Sequence, residues 1–128
     1  MRLLLILLLL PILGIAQPSY NSYERAFYKT NNPDTIKFVS RANDTSFINF
    51  GNQEIIITSR DTIIRLSFIG NMETLDYDDG SSYVSVDMMG EDGIKGIFGM
   101  TFLKDGSPSH CYFSNKNGMT RWEKMTKN

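Results

Sequence analysis

The chain has 128 residues, 41% of them hydrophobic and 21% charged, with a formal net charge of −1 and one cysteine. That balance excludes the basic surface by which proteins attract nucleic acid or anionic lipid, and a lone thiol excludes an internal disulfide framework. The length suits one domain, large enough to bury an apolar core without covalent staples.

Met1-Arg2 leads into an apolar run from Leu3 to Ala16, interrupted by Pro11 and Gly14. The run is too short for a bilayer core, which takes about 20 residues in a helix. A basic start, an apolar stretch and the small-x-small ending Gly14-Ile15-Ala16 are the parts of a secretory signal peptide. The expected division is therefore a signal peptide at 1–16, cleaved to leave Gln17, with no stable membrane insertion afterwards. An exported chain without disulfides fits a periplasmic or secreted bacterial protein.

Residues 17–34 form a polar and aromatic segment. Tyr20, Tyr23 and Phe27 fall at i, i+3 and i+7, so a short helix lying on the rest of the domain is one expectation and an unstructured N-terminus the other. Asn31-Asn32-Pro33 ends it.

From 35 to 128 the pattern has period two, in short runs divided by turn residues. Ile36 and Phe38 open the series. Phe47–Phe50 is closed by Gly51-Asn52, Gln53–Ser59 contains Ile55-Ile56-Ile57, and Thr62–Ile69 ends at a break at Gly70-Asn71. Met72–Asp76 is a further short strand before the turn Asp78-Asp79-Gly80. Val84, Val86 and Met88, then Ile94, Phe98, Met100 and Phe102, make a hairpin with one apolar face. His110–Ser114 and Met119–Lys124 are joined by Asn117-Gly118, the strongest hairpin signal in the chain. About eight sequential antiparallel strands with no helix-length crossover predict an all-β meander, closed into a soluble barrel or folded as a two-sheet sandwich. Gly96 and Gly99, inside one strand, favour the bends of a barrel. Lys37, Arg65, Asp87 and Lys95 opposite the apolar sets argue against an outer-membrane wall.

The candidate chemistry is sparse. His110 and Cys111 are adjacent, so in a strand they point to opposite faces and make neither a nucleophile–base pair nor a metal site. Asp76, Asp78 and Asp79 miss the spacing of a calcium loop and read as a solvated turn. No cofactor motif is present. The glycines at 90, 93, 96 and 99 precede a strand rather than a helix, which excludes a phosphate loop. Asn43-Asp44-Thr45 matches a glycosylation triplet placed in a turn. Met88, Phe98, Met100, Phe102 and Trp122 are the apolar residues suited to line a barrel cavity, since eight strands either fill with side chains or enclose one small ligand.

In outline these features resemble small exported lipocalin-like barrels, a likeness of architecture that leaves function open. The first expectation is a non-enzymatic module holding a small apolar ligand in the interior or open end of the barrel. The alternative is a protein-interaction or inhibitor module of the cell envelope that docks a partner by a strand edge. A hollow interior favours the first, whereas a filled core with Tyr83, Tyr112 and Ile63 outside favours the second. An enzyme assembled from distant residues is the third.

Overall fold

The computed structural model describes residues 18–32 and 35–128; the signal-peptide reading, Gln17 and the Pro33-Asp34 junction lie outside them. The described chain is all β: β1 (Ser19–Asn32), β2 (Thr35–Ala42), β3 (Ser46–Phe50), β4 (Glu54–Thr58), β5 (Ile63–Asp76), β6 (Ser82–Gly90), β7 (Lys95–Phe102), β8 (Pro108–Asn115) and β9 (Gly118–Lys127). From β3 to β9 each strand pairs with the next, and β1 pairs with both β3 and β9. The sheet therefore closes on itself as an eight-stranded antiparallel barrel, with β2 as one extra strand. Closure decides between barrel and sandwich.

The helix expected around Tyr20, Tyr23 and Phe27 is instead the strand β1. Its aromatics do not share a face, because Tyr20 is 1% exposed and Tyr23 46%. The reason is tertiary: one edge of β1 pairs with β9 from Tyr20↔Lys127 to Lys29↔Gly118. The other edge is shared, Ser19–Ser22 pairing with β3 and Arg25–Asn32 with β2. Two ladders outweigh a few residues of helical spacing, and aromatic side chains suit a strand. Ser19–Asn32, most of the segment read as a piece apart, thus supplies a wall of the barrel.

Gly70-Asn71, read as a break between two strands, is crossed by one long strand. β5 pairs with β6 from Leu66↔Gly90 to Asp76↔Ser82, with register shifts on both sides of Gly70. Gly70 at φ 145° and Asn71 at φ 41° adopt the left-handed backbone that this irregularity requires, which glycine takes freely and asparagine tolerates. The strand bends there rather than ending.

The interior follows the alternation. Ile48 and Phe50 of β3, Ile55 and Ile57 of β4, Leu66 of β5, Val84, Val86 and Met88 of β6 and Phe98, Met100 and Phe102 of β7 join Cys111, Trp122, Met125 and Tyr20 in one buried cluster. Each large side chain so buried contributes about 1.5–3 kcal/mol, against about 1 kcal/mol net for a ladder hydrogen bond. Two glycines make room for rings. A Cβ on Gly96 would meet the Phe113 ring at 2.7 Å and one on Gly99 the Tyr112 ring at 2.4 Å, so Phe113 covers one face of β7 and Tyr112 the other.

Candidate functional site

The five residues expected to line a cavity all lie in the buried cluster: Met88 and Trp122 are fully buried, Met100 is 1% exposed, Phe98 2% and Phe102 4%. They pack against their cross-strand neighbours. Phe98 meets Phe50 edge-to-face at 6.1 Å, and Cys111 stands between Met100 and Trp122 in the ladder. Burial pushes the Cys111 thiol far above its ordinary value, which keeps it protonated and unreactive.

Both ends of this core are closed by specific groups. At the end holding the start of β1 and the β7–β8 turn, Tyr20 packs edge-to-face on Phe50 at 5.7 Å and on Phe102 at 6.4 Å. Among the described residues its hydroxyl has no partner, as is also true of the Trp122 indole N–H, and burial pushes the phenol up to about 12. An unpartnered buried hydroxyl destabilises the fold. Tyr20→Phe is therefore expected to leave stability unchanged or raise it by up to about 1 kcal/mol, read from the urea midpoint.

At the opposite end Arg25, opposite Trp122 in the ladder, turns its guanidinium onto Asp44, with Nε donating to Oδ1 at 2.8 Å and Nη2 to Oδ2. Asp61 approaches Nη2 at 3.5 Å, and Phe27 lies under the guanidinium at 5.4 Å; the buried Ser46 and Ser59 hydroxyls meet at 2.8 Å. Asp44, the middle of the glycosylation-like triplet, is thus part of a plug. Beside it opens a cleft of about 360 Å³ lined by Ile63, Ile64, Leu66 and Phe113, with Arg65, Glu91 and Asp92 at its rim.

On the outer wall a second ionic group binds β2 to the barrel. Glu24 accepts from Lys124 Nζ at 2.9 Å and from Arg41 of β2, which also reaches Glu123. Lys124 stands at φ 52°, in the irregular stretch of the β1–β9 ladder between the pairs Glu24↔Glu123 and Ser22↔Met125. Lys124 first and Arg41 second hold the Glu24 carboxyl at about 2, against the upward pull of burial. A carboxyl with a folded pKa below its unfolded 4.5 contributes stability that is complete above pH 4.5 and is lost as pH falls toward 2. The urea midpoint is expected to drop across that window, and Glu24→Gln to flatten the drop.

The remaining groups are less suited to chemistry. His110 is half-buried, its Nδ1 3.0 Å from Ser109 Oγ, and burial, then Arg121, lowers its pKa. Tyr83 and Tyr112 stack at 6.5 Å with hydroxyls hydrogen-bonded. In the Asp78 turn, Asp79 accepts from the Ser81 N–H at 2.9 Å and from its hydroxyl. Among the described residues no group of three or more His, Cys, Asp and Glu converges to hold a metal ion.

The most conspicuous feature is at the sheet edges. Among the described residues β2 pairs with β1 alone, and β4 covers only Ile63–Ser67 of β5, leaving the outer edge of Met72–Asp76 without a strand. Ile36 is 52% exposed, Phe38 49%, Val39 58%, Met72 45% and Leu75 55%. The period-two pattern places Ile36, Phe38 and the run Met72–Asp76 in strands without showing that these strands lack a neighbour. The local signal was Val39 beside Phe38, which spoils the polar face of the run.

Compared with protein-family models, with curated proteins and with solved structures, the chain matches none of them.

Proposed function

We propose that this is an exported protein-interaction module that binds an extended segment of its partner along the free edge of β2. The observation that carries the reading is the β1–β2 hairpin: a strand with one paired edge among the described residues and apolar side chains about half exposed, anchored to the barrel by Arg41 on Glu24 and Glu123. Such an edge is a template for strand addition, in which backbone hydrogen bonds supply affinity and alternate side chains supply specificity. The packed interior also supports docking from outside over carriage within. Selection of displayed random peptides against residues 17–128 tests it. The expected winners are short extended sequences that lose binding when their backbone is N-methylated or when Phe38→Lys is introduced; winners indifferent to both changes contradict the reading.

A second reading rests on the cleft beside Phe113. Barrel mouths are common ligand sites, and an apolar floor with a charged rim suits a small amphipathic molecule. Native mass spectrometry of protein from its own envelope tests this, with a bound adduct expected for the wild type and lost in Ile64→Glu. A bare mass for the wild type would count against it.

A further inference from the structure

We infer that the partner at the β2 edge is a second copy of this chain, presenting its own free edge of β5, with Lys37 of one copy opposite Glu73 of the other. The inference rests on the edge-docking reading above and deepens it by naming the occupant. The two edges border the same short wall of β3 and β4 at opposite ends of the barrel, because β4 has five residues while β5 has fourteen.

Their side chains are complementary. β2 carries Lys37 and Arg41, and the free part of β5 carries Glu73 and Asp76. Arg41 is already held by Glu24 and Glu123, and Asp76 accepts from Ser82 Oγ at 3.2 Å. Lys37 and Glu73, both exposed, are therefore the charges that choose the pairing. Antiparallel addition with Lys37 opposite Glu73 sets Phe38 against Met72, Ile36 against Thr74 and Thr35 against Leu75, so one apolar pair forms beside the charges, with methionine sulfur by the Phe38 ring.

The same charges oppose the like-with-like alternatives. A β2 edge on another β2 edge brings together two basic strands, and β5 on β5 two acidic ones, both unfavourable. Irregularities confine the contact further. The register shift between Phe27 and Tyr28 leaves Val39 without an opposite residue, and the shifts around Gly70 bend β5 just before Met72. Bulges of this kind blunt an edge against indiscriminate pairing, and what remains regular is Ile36–Phe38 on one side and Met72–Asp76 on the other. Because the contact joins unlike surfaces, each copy retains one basic or one acidic edge for a further neighbour, and the assembly grows by head-to-tail addition.

Sedimentation velocity of residues 17–128 over a range of concentrations tests this. The wild type is expected to associate reversibly, less at high salt. Lys37→Glu and Glu73→Lys are each expected to weaken association by about tenfold, and the double variant to recover it, since like-charge contacts across an interface are costly and the exchange restores opposite charges. Both positions are exposed, and an unchanged far-ultraviolet circular dichroism spectrum verifies the fold of each variant. A wild type that stays monomeric at every concentration, or a double variant weaker than either single one, overturns the inference. A monomeric chain that still selects peptides at Phe38 removes self-pairing and leaves the docking function standing, whereas one that does neither removes both.

Discussion

Replacing Trp122 by alanine is expected to cost about 3–5 kcal/mol, the range for deleting a large aromatic from a close-packed core. Trp122 is fully buried, next to Cys111 on one side and Arg25 on the other in the ladder. The indole has few routes for collapse, since Met88, Met100 and Cys111 around the barrel are themselves 1% exposed or less. A domain has only about 5–15 kcal/mol in total, so the variant is expected to lose much of its stability in urea unfolding. The size of the loss also reports on the interior. A cost under about 1 kcal/mol would mean a loosely filled or hydrated barrel, as a ligand carrier has, rather than the packed one that directs binding to the outside.

Asp44→Ala is expected to cost about 3 kcal/mol, at the low end of what breaking a buried ion pair costs, because Asp61 stays within reach of the stranded guanidinium. The Arg25 side chain is 8% exposed and that of Asp44 19%, so the cation is left inside the barrel mouth with one exposed partner. Replacing both residues by apolar ones of similar size, Arg25→Met with Asp44→Leu, is expected to recover most of the loss, since such exchanges are often neutral. Urea unfolding of the three variants checks both statements. An Asp44→Ala variant as stable as the wild type would mean that the plug does not hold the top of the barrel, and with it the junction of β2 and β3.

The period-two runs made the fold legible, because from Phe47 to Trp122 one face of nearly every run is the barrel interior. Two places misled the reading, for physical reasons. Tyr20, Tyr23 and Phe27 have helical spacing, yet β1 is fixed by neighbours distant in sequence, β9 above all, and no local pattern carries that. Gly70-Asn71 has turn chemistry, but the same left-handed preference serves a bulge within a strand. The docking edges were only half legible. Ile36, Phe38, Met72 and Leu75 were read as strand residues, but which strand lacks a neighbour depends on barrel stagger and on the brevity of β4. The ionic groups around Arg25 and Glu24 left no sequence motif, since each joins strands separated by a turn or by most of the chain.

Hydrogen exchange read by mass spectrometry, on the chain at low and at high concentration, tests docking at the strand edges. Docking at the strand edges predicts slowed exchange in residues 35–42 and 72–76 at high concentration, with the rest of the barrel unchanged. Unchanged exchange in both segments, with a selected peptide also leaving 35–42 unprotected, or protection gathered instead at Ile63–Leu66 and Gly90–Asp92, would contradict it.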